Sequence, residues 1–332
     1  DVYKRQEMLR GGITCFNDMY FFPEETAKAA ELAGIRACVG LIVLDFPTAW
    51  AADGPGYLAL ARAVHDRWQG HPRVYPILAP HAPYTVSDPS LQQTRDLADA
   101  LNLPIHIHVH ESAHEVADAL AVSGERPLAR LERLGLLSPR LLAVHMTQLL
   151  DEEIERCAHH GVHVIHCPES NLKLASGFCP TARLIAAGVN VALGTDGAAS
   201  NNDLDLLGEL RTAALLAKAV AGDAAAFPAQ QALYAATLAG AKALGLEAEL
   251  GSLELGKAAD VVALNLADVP SQPVYHPLSQ LVYSANRNAV SDVWVAGQPV
   301  VRQGRLTRLD QGQLLDKARW WAQRIGPTDT VT

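Results

Sequence analysis

No apolar run in this chain approaches the roughly 20 residues needed to cross a bilayer, so no membrane-spanning helix is expected. No Lys/Arg-rich block occurs and the formal net charge is −9, which argues against a nucleic-acid or anionic-membrane surface. The opening DVYKRQEMLR is charged and has neither an initiator Met nor the apolar stretch of a signal region. The five cysteines (Cys15, Cys38, Cys157, Cys167, Cys179) are odd in number and form no CxxC. They read as reduced thiols in a cytoplasmic protein. No internal repeat and no low-complexity linker is visible.

What the chain has is apolar content and alternation. Hydrophobic residues make up 49% of 332, enough for one barrel or two smaller domains. Short β-branched or apolar runs fall at 13–19, 35–44, 73–80, 103–110, 141–145, 162–167 and 189–196. Ala/Leu/Glu/Arg-rich helical stretches follow them near 24–33, 56–69, 89–101, 113–135, 150–159, 180–187 and 203–221. Near-continuous apolar strands alternating with helices predict a parallel sheet covered on both faces.

Seven β/α units are one fewer than a (β/α)8 TIM barrel has. The chain opens at what reads as a helix end, EMLRGG. The expectation is therefore a barrel whose first strand lies before residue 1, with DVYKRQ foreign to the helix that follows it. An open doubly wound sheet is the alternative. Against it, no GxGxxG turn occurs, and polar residues gather at many strand ends instead of at one switch point. The expected organisation is a barrel over 7–250, a small β appendage over 251–309 and a closing helix over 310–326.

The C-terminal ends of barrel strands build active sites. Those ends carry Asp18, His81, His108 with His110 and Glu111, His145, His166 and Asp196. Imidazole and carboxylate together suit zinc or iron. In HIHVHES, period-two alternation puts His106, His108 and His110 on one face. If the strand ends near Val109, Glu111 sits on the rim and can swing over the site. A lone His in an apolar strand is as often a hydrogen-bonded core residue as a ligand, and His166 stays open on that ground. Asp196 closes an apolar strand in GTDG. Its plainer reading is a turn or helix cap, but Asn201, Asn202 and Asp203 lie nearer the next helix start, which favours metal or catalytic work. His145 is favoured for the site by its strand-end position. His81, on a Pro-rich loop, reads as a substrate contact or a structural loop residue. Cys167 has no evident base beside it and is not read as a nucleophile. His65, His71, His159, His160 and His163 read as surface or structural residues in helices or turns.

LAPHAPYTVSD, HVHES, AVHMTQL, HCPESNLKLASG and GTDGAASNNDLDLLGE, in this order, resemble the amidohydrolase superfamily. More narrowly the chain is similar to its 5-methylthioadenosine/S-adenosylhomocysteine deaminase group, neighbours of the triazine hydrolases. GGITCFNDMYFF and GSLELGKAADVVALN also match, so the resemblance runs from about Glu7 to Gly326. It implies a (β/α)8 barrel with a small β-sandwich made from both chain ends. It also implies one divalent metal, zinc, held by an HxH pair on the first strand, a His on the fifth and an Asp on the eighth.

Carried onto this chain, His108 and Asp196 are the implied metal ligands, and Glu111, His145 and Asp196 the implied catalytic groups. His81, Glu111, Asp196 and Ser200 are the implied substrate contacts. The HxH pair is expected before Glu7, since His106 and His108 copy its spacing on the wrong strand, and the sandwich would lack the strands that segment supplies. The implied reaction is hydrolytic deamination of an adenine-type nucleoside. Glu111 would protonate a ring nitrogen, His145 would position the hydroxide, and Asp196 would take a proton from the water. The expected partner is a small nucleoside, and a homo-oligomer is compatible with the family. Other readings remain: guanine or aminopurine deaminase, triazine chlorohydrolase, or a non-catalytic chain without the HxH ligands.

Overall fold

A computed structural model describes residues 2–325. In chain order α1 (Val2–Arg10) precedes β1 (Cys15–Tyr20), α2 (Pro23–Ala33), β2 (Arg36–Val43) and α3 (Gly54–Trp68). Then come β3 (Val74–Pro80), α4 (Asp88–Leu101), β4 (Ile105–Val109), α5 (Ala113–Ser123) and α6 (Pro127–Arg133). β5 (Leu141–His145) leads to α7 (Asp151–His160), and β6 (His163–His166) to α8 (Pro168–Lys173) and α9 (Thr181–Ala186). β7 (Asn190–Leu193) is followed by α10 (Ala198–Asn201), α11 (Leu206–Ala221), α12 (Ala229–Ala236) and α13 (Leu238–Ala243).

The first seven strands form one parallel sheet in the order β1-β2-β3-β4-β5-β6-β7. A doubly wound sheet reverses its strand order at a switch point. This sheet never does, so the barrel-type reading holds and the alternative falls. All eight residues of β2 are buried, as expected of a strand covered by helices on one side and core on the other. Gly40 on β2 faces the carbonyl oxygen of Asp18 on β1 so closely that a Cβ would collide with it.

The appendage is a four-stranded antiparallel sheet of β8 (Val261–Leu264), β9 (Val290–Val295), β10 (Gln298–Arg302) and β11 (Arg305–Leu306), in the order β11-β10-β9-β8. A single layer stands where a sandwich was expected. Helix α14 (Pro277–Tyr283) interrupts the segment between β8 and β9, and α15 (Gln311–Ile325) closes the chain. Residue 326, the expected end of that helix, lies outside the described residues. The β9–β10 link is Ala296-Gly297, both at positive φ, the conformation of a two-residue turn matched to strand twist.

Four local expectations need correcting. The stretch 113–135 is two helices, because Gly124 adopts φ 70 as the C-cap of α5 and Pro127 starts α6. Proline fits the first helical turn but not a helix interior. DVYKRQ is not foreign to the helix before GGITCF: α1 runs from Val2, and buried Arg5 pairs with Asp18 at 3.5 Å and covers the Phe16 ring. The cap of α11 is Asp205, whose Oδ1 accepts from the backbone of Leu207 and Gly208, not Asn201, Asn202 or Asp203. His163 begins β6 rather than a turn. All five cysteines are free, and no helix among the described residues is long and apolar enough to cross a membrane.

One ion pair joins the two sheets. Buried Arg36, at the start of β2, donates from Nε and an Nη to both oxygens of Asp260 just before β8, at 3.2 and 3.0 Å. Its other Nη donates to the Pro72 carbonyl and the Tyr75 hydroxyl, and Asp260 also accepts from the Ala296 backbone. Removing one partner of such a pair strands the other charge in a dry site. Asp260→Ala should therefore lower the unfolding free energy by about 3–5 kcal/mol. Urea denaturation checks this, and a loss below 1 kcal/mol would show that water reaches Arg36.

Candidate active site

The strand ends bring His81, His108, Glu111, His145 and Asp196 to one region. His108 lies on β4, with its ring centroid 5.4 Å from His145 at the end of β5 and 5.2 Å from His81 just past β3. Glu111 Oε2 is 3.8 Å from His145 Nε2. The charge of Asp196 acts on His108, Glu111 and His145.

The backbone at these ends is unusual. His110 (φ 53), His145 (φ 77), Met146 (φ 50) and Asp196 (φ 60) all sit in the left-handed region. For non-glycine residues that conformation costs on the order of 1–3 kcal/mol each and gathers at functional sites. It turns each side chain away from the direction that strand alternation would give it.

Hydrogen bonds fix which ring nitrogen faces the site. His108 donates Nδ1–H to the His81 carbonyl at 2.8 Å. His145 donates Nδ1–H to Asn171 Oδ1 at 2.9 Å. His81 Nδ1 is 2.9 Å from the Thr85 hydroxyl, which itself donates to the Ala82 carbonyl and so accepts from the ring. In all three rings the Nε2 lone pair is left outward. Burial lowers the pKa of His108 and His145, and burial together with His108 brings His81 to about 4. The three rings are neutral near pH 7 and act as lone-pair donors. Glu111 moves the other way: burial and then the charge of Asp196 raise its pKa, against the pull of His108. That favours a carboxyl able to hold a proton.

Asp196 lies three residues beyond β7. Its Oδ2 accepts from Ser170 Oγ at 2.7 Å and its Oδ1 from the Gly197 backbone at 2.6 Å. Ser200 sits in the short α10 immediately after it, half-buried. Glu115 secures the Glu111 loop, its carboxylate accepting from the backbone of His110 and Glu111.

The other histidines have different partners, although the His106 ring centroid is still only 5.7 Å from that of His108. His106 accepts from Asn17 on β1 at 3.0 Å and is a satisfied core residue. His110 does not share the face of His106 and His108. It lies past the end of β4, donates Nδ1–H to the Gln148 carbonyl and accepts from the Leu128 backbone, which makes it a latch between loops. His166 is buried, with Nδ1 lacking a partner among the described residues, and burial takes its pKa to about 3. The groups that sequence reasoning missed are Ser170, Asn171 and Glu209. The first two lie in HCPESN, where Pro168 after a strand end was an available sign of a helix start.

The Amidohydrolase family pattern matches residues 5–300. The chain belongs to the amidohydrolase family. It is 50% identical over 320 residues to a protein of Teredinibacter turnerae named 5-methylthioadenosine/S-adenosylhomocysteine deaminase, covering 96% of this chain and 72% of that one. A protein of the same name from Thermodesulfovibrio yellowstonii is 46% identical, with 96% and 73% covered. Among solved structures, an adenosine deaminase from Xanthomonas campestris with bound zinc superposes with TM-score 0.96 at 54% identity, covering 97% of this chain and 73% of that one. Atrazine chlorohydrolase from Arthrobacter aurescens, complexed with zinc, gives 0.89 at 26%, with 96% and 75% covered. By family the chain is a hydrolase of carbon–nitrogen bonds.

The donor chemistry here fits a divalent cation. His108 has its Nδ1–H on a backbone carbonyl, as metal-ligating histidines do, and the Asp196 carboxylate is near. The donor number falls short: among the described residues no group of three His, Cys, Asp or Glu could hold a metal ion, whereas catalytic zinc has about three protein ligands.

The His110 latch has a pH signature. Burial holds His110 at about 4 against an ordinary 6.5. As pH falls through 6.5 the unfolded chain takes up a proton that the fold refuses until about 4. The stability from this residue is thus complete above 6.5 and lost between 6.5 and 4, by roughly 3 kcal/mol at about 1.4 kcal/mol per pH unit. In His110→Gln the drop in urea stability from pH 7 to 4.5 should shrink by most of that amount. An unchanged drop would place the acid sensitivity elsewhere.

Proposed function

We propose that this protein hydrolytically deaminates 5′-methylthioadenosine and S-adenosylhomocysteine, replacing the adenine 6-amine by oxygen and releasing ammonia. The observation that carries this reading is Glu111, a carboxyl whose pKa burial raises, facing His145 Nε2 beside Asp196. The names of relatives at 50% and 46% identity support the substrate.

Glu111 holds a proton and gives it to the ring nitrogen next to the carbon that carries the amine, so the carbon becomes more electrophilic. His145, with Nδ1 committed to Asn171, presents Nε2 to orient the attacking water. Asp196 accepts a proton from that water and returns it to the departing ammonia. His81 and Ser200 line the mouth as substrate contacts. A zinc ion held by His108 and Asp196 would lower a water's pKa toward neutrality. The proton left on the new hydroxyl returns to Glu111, which restores the acid and leaves the inosine counterpart as product. The free cysteines support a reducing, cytoplasmic location.

Ammonia release from the two nucleosides by a protein carrying this sequence tests the reaction. Glu111→Gln should lower turnover by about 10²-fold or more, and full activity in that variant would remove Glu111 from the acid role. A panel with guanine and a chlorotriazine separates this reading from the same scaffold working on another ring. In the 332-residue chain itself, zinc content after dialysis should fall well below one per chain. One tightly held zinc would show a ligand set other than His108 and Asp196.

A further inference from the structure

The six-residue helix α8 touches both functional strand ends with consecutive residues. Ser170 Oγ donates to Asp196 Oδ2 at 2.7 Å. The next residue, Asn171, accepts from His145 Nδ1 at 2.9 Å. Both are buried. The Asn171 amide nitrogen is buried and has no hydrogen-bond partner among the described residues; the contact that holds the side chain is through its oxygen.

Behind them stands Glu209, a buried residue of α11. One carboxylate oxygen accepts from the Glu169 backbone at 3.1 Å, the residue before Ser170. The other accepts from the Asn201 side chain, which also donates to the Thr195 carbonyl at 2.7 Å. Glu169 is in turn held by Thr212 of α11 at 2.7 Å. A single carboxylate thus braces the helix that carries Ser170 and Asn171 and the loop that carries Asp196.

We propose that Asn171 and Ser170 are positioning residues that set His145 and Asp196 as one unit, with Glu209 as their common anchor. Asn171 decides the tautomer of His145: its oxygen demands Nδ1–H, so Nε2 must present a lone pair toward Glu111. Ser170 orients the carboxylate of Asp196 from the same helix turn, and a shift of α8 would move both groups together. The inference rests on the deaminase reading for its consequence in turnover but not for its geometry.

The test reads the tautomer directly. Imidazole 15N shifts of the 332-residue chain at pH 8, with His145 assigned through His145→Gln, should show Nδ1–H at His145. In Asn171→Leu the ring should move largely to Nε2–H, and in Asn171→Asp, which restores an acceptor, it should return. Asn171→Ala gives the same reading should the Leu variant not fold. In the zinc-loaded protein, Asn171→Leu and Ser170→Ala should each lower kcat about 10–100-fold, the usual effect of removing such support. KM should change less than about threefold, and Asn171→Asp should recover part of the loss. A His145 that keeps Nδ1–H in both the Leu and Ala variants overturns the proposal. So does an equal loss of kcat in Asn171→Asp and Asn171→Leu. If the tautomer responds as stated while the unsubstituted protein releases no ammonia, the deaminase reading fails and the positioning role stands.

Discussion

Everything at the strand ends depends on keeping several imidazoles buried and uncharged. A charged ring in such surroundings would lose its hydration without repayment. The fold therefore leaves these rings neutral and gives several of them an acceptor for the one N–H. For His108 the acceptor is the His81 carbonyl, for His110 the Gln148 carbonyl and for His145 the Asn171 amide oxygen. A neutral imidazole whose N–H is spoken for has one lone pair left, and the backbone decides where that lone pair points. At His110 it meets the Leu128 N–H and the ring becomes a strut. At His145 it faces Glu111.

The same economy runs through the carboxyls. Asp196 and Glu111 occupy one small region, yet they differ. Asp196 accepts two hydrogen bonds, from Ser170 and Gly197. Glu111 faces a neutral histidine and feels the charge of Asp196, which together with burial raises its pKa. Two carboxyls in unlike surroundings are how a site divides acid from base work. The left-handed backbone at His145 and Asp196 is the strained part of this arrangement. Both side chains are held from α8, His145 by Asn171 and Asp196 by Ser170.

The seven-strand sheet supplies the rigidity. Its strands pair in chain order, so each β/α link delivers one loop to the same rim. The loops after β3, β4, β5 and β7 then place His81, Glu111, the Met146 turn and Asp196 as neighbours, although they are spread over more than a hundred residues of sequence. At the opposite end of β2, Arg36 fastens the barrel sheet to the appendage through Asp260.

Apolar runs and their alternation with helical stretches were enough to locate all seven strands to within a few residues, because burial on both faces demands continuous hydrophobic segments. Polar residues at the ends of those runs marked His108, Glu111, His145 and Asp196 for the same reason: an apolar strand rarely ends on such groups without cause. Sequence could not decide what depends on backbone turned left-handed at one residue. Alternation put His110 beside His106 and His108, whereas φ 53 takes it into a latch. Nor could it see contacts that join distant segments, such as Asn171 to His145, Ser170 to Asp196, or Glu209 to both Glu169 and Asn201. Residue type and spacing determined which groups the strand ends offer. Only tertiary packing, such as that of α8 against those ends, determined which nitrogen and which oxygen each group presents, since a hydrogen-bond partner tens of residues away leaves no periodic trace in the chain.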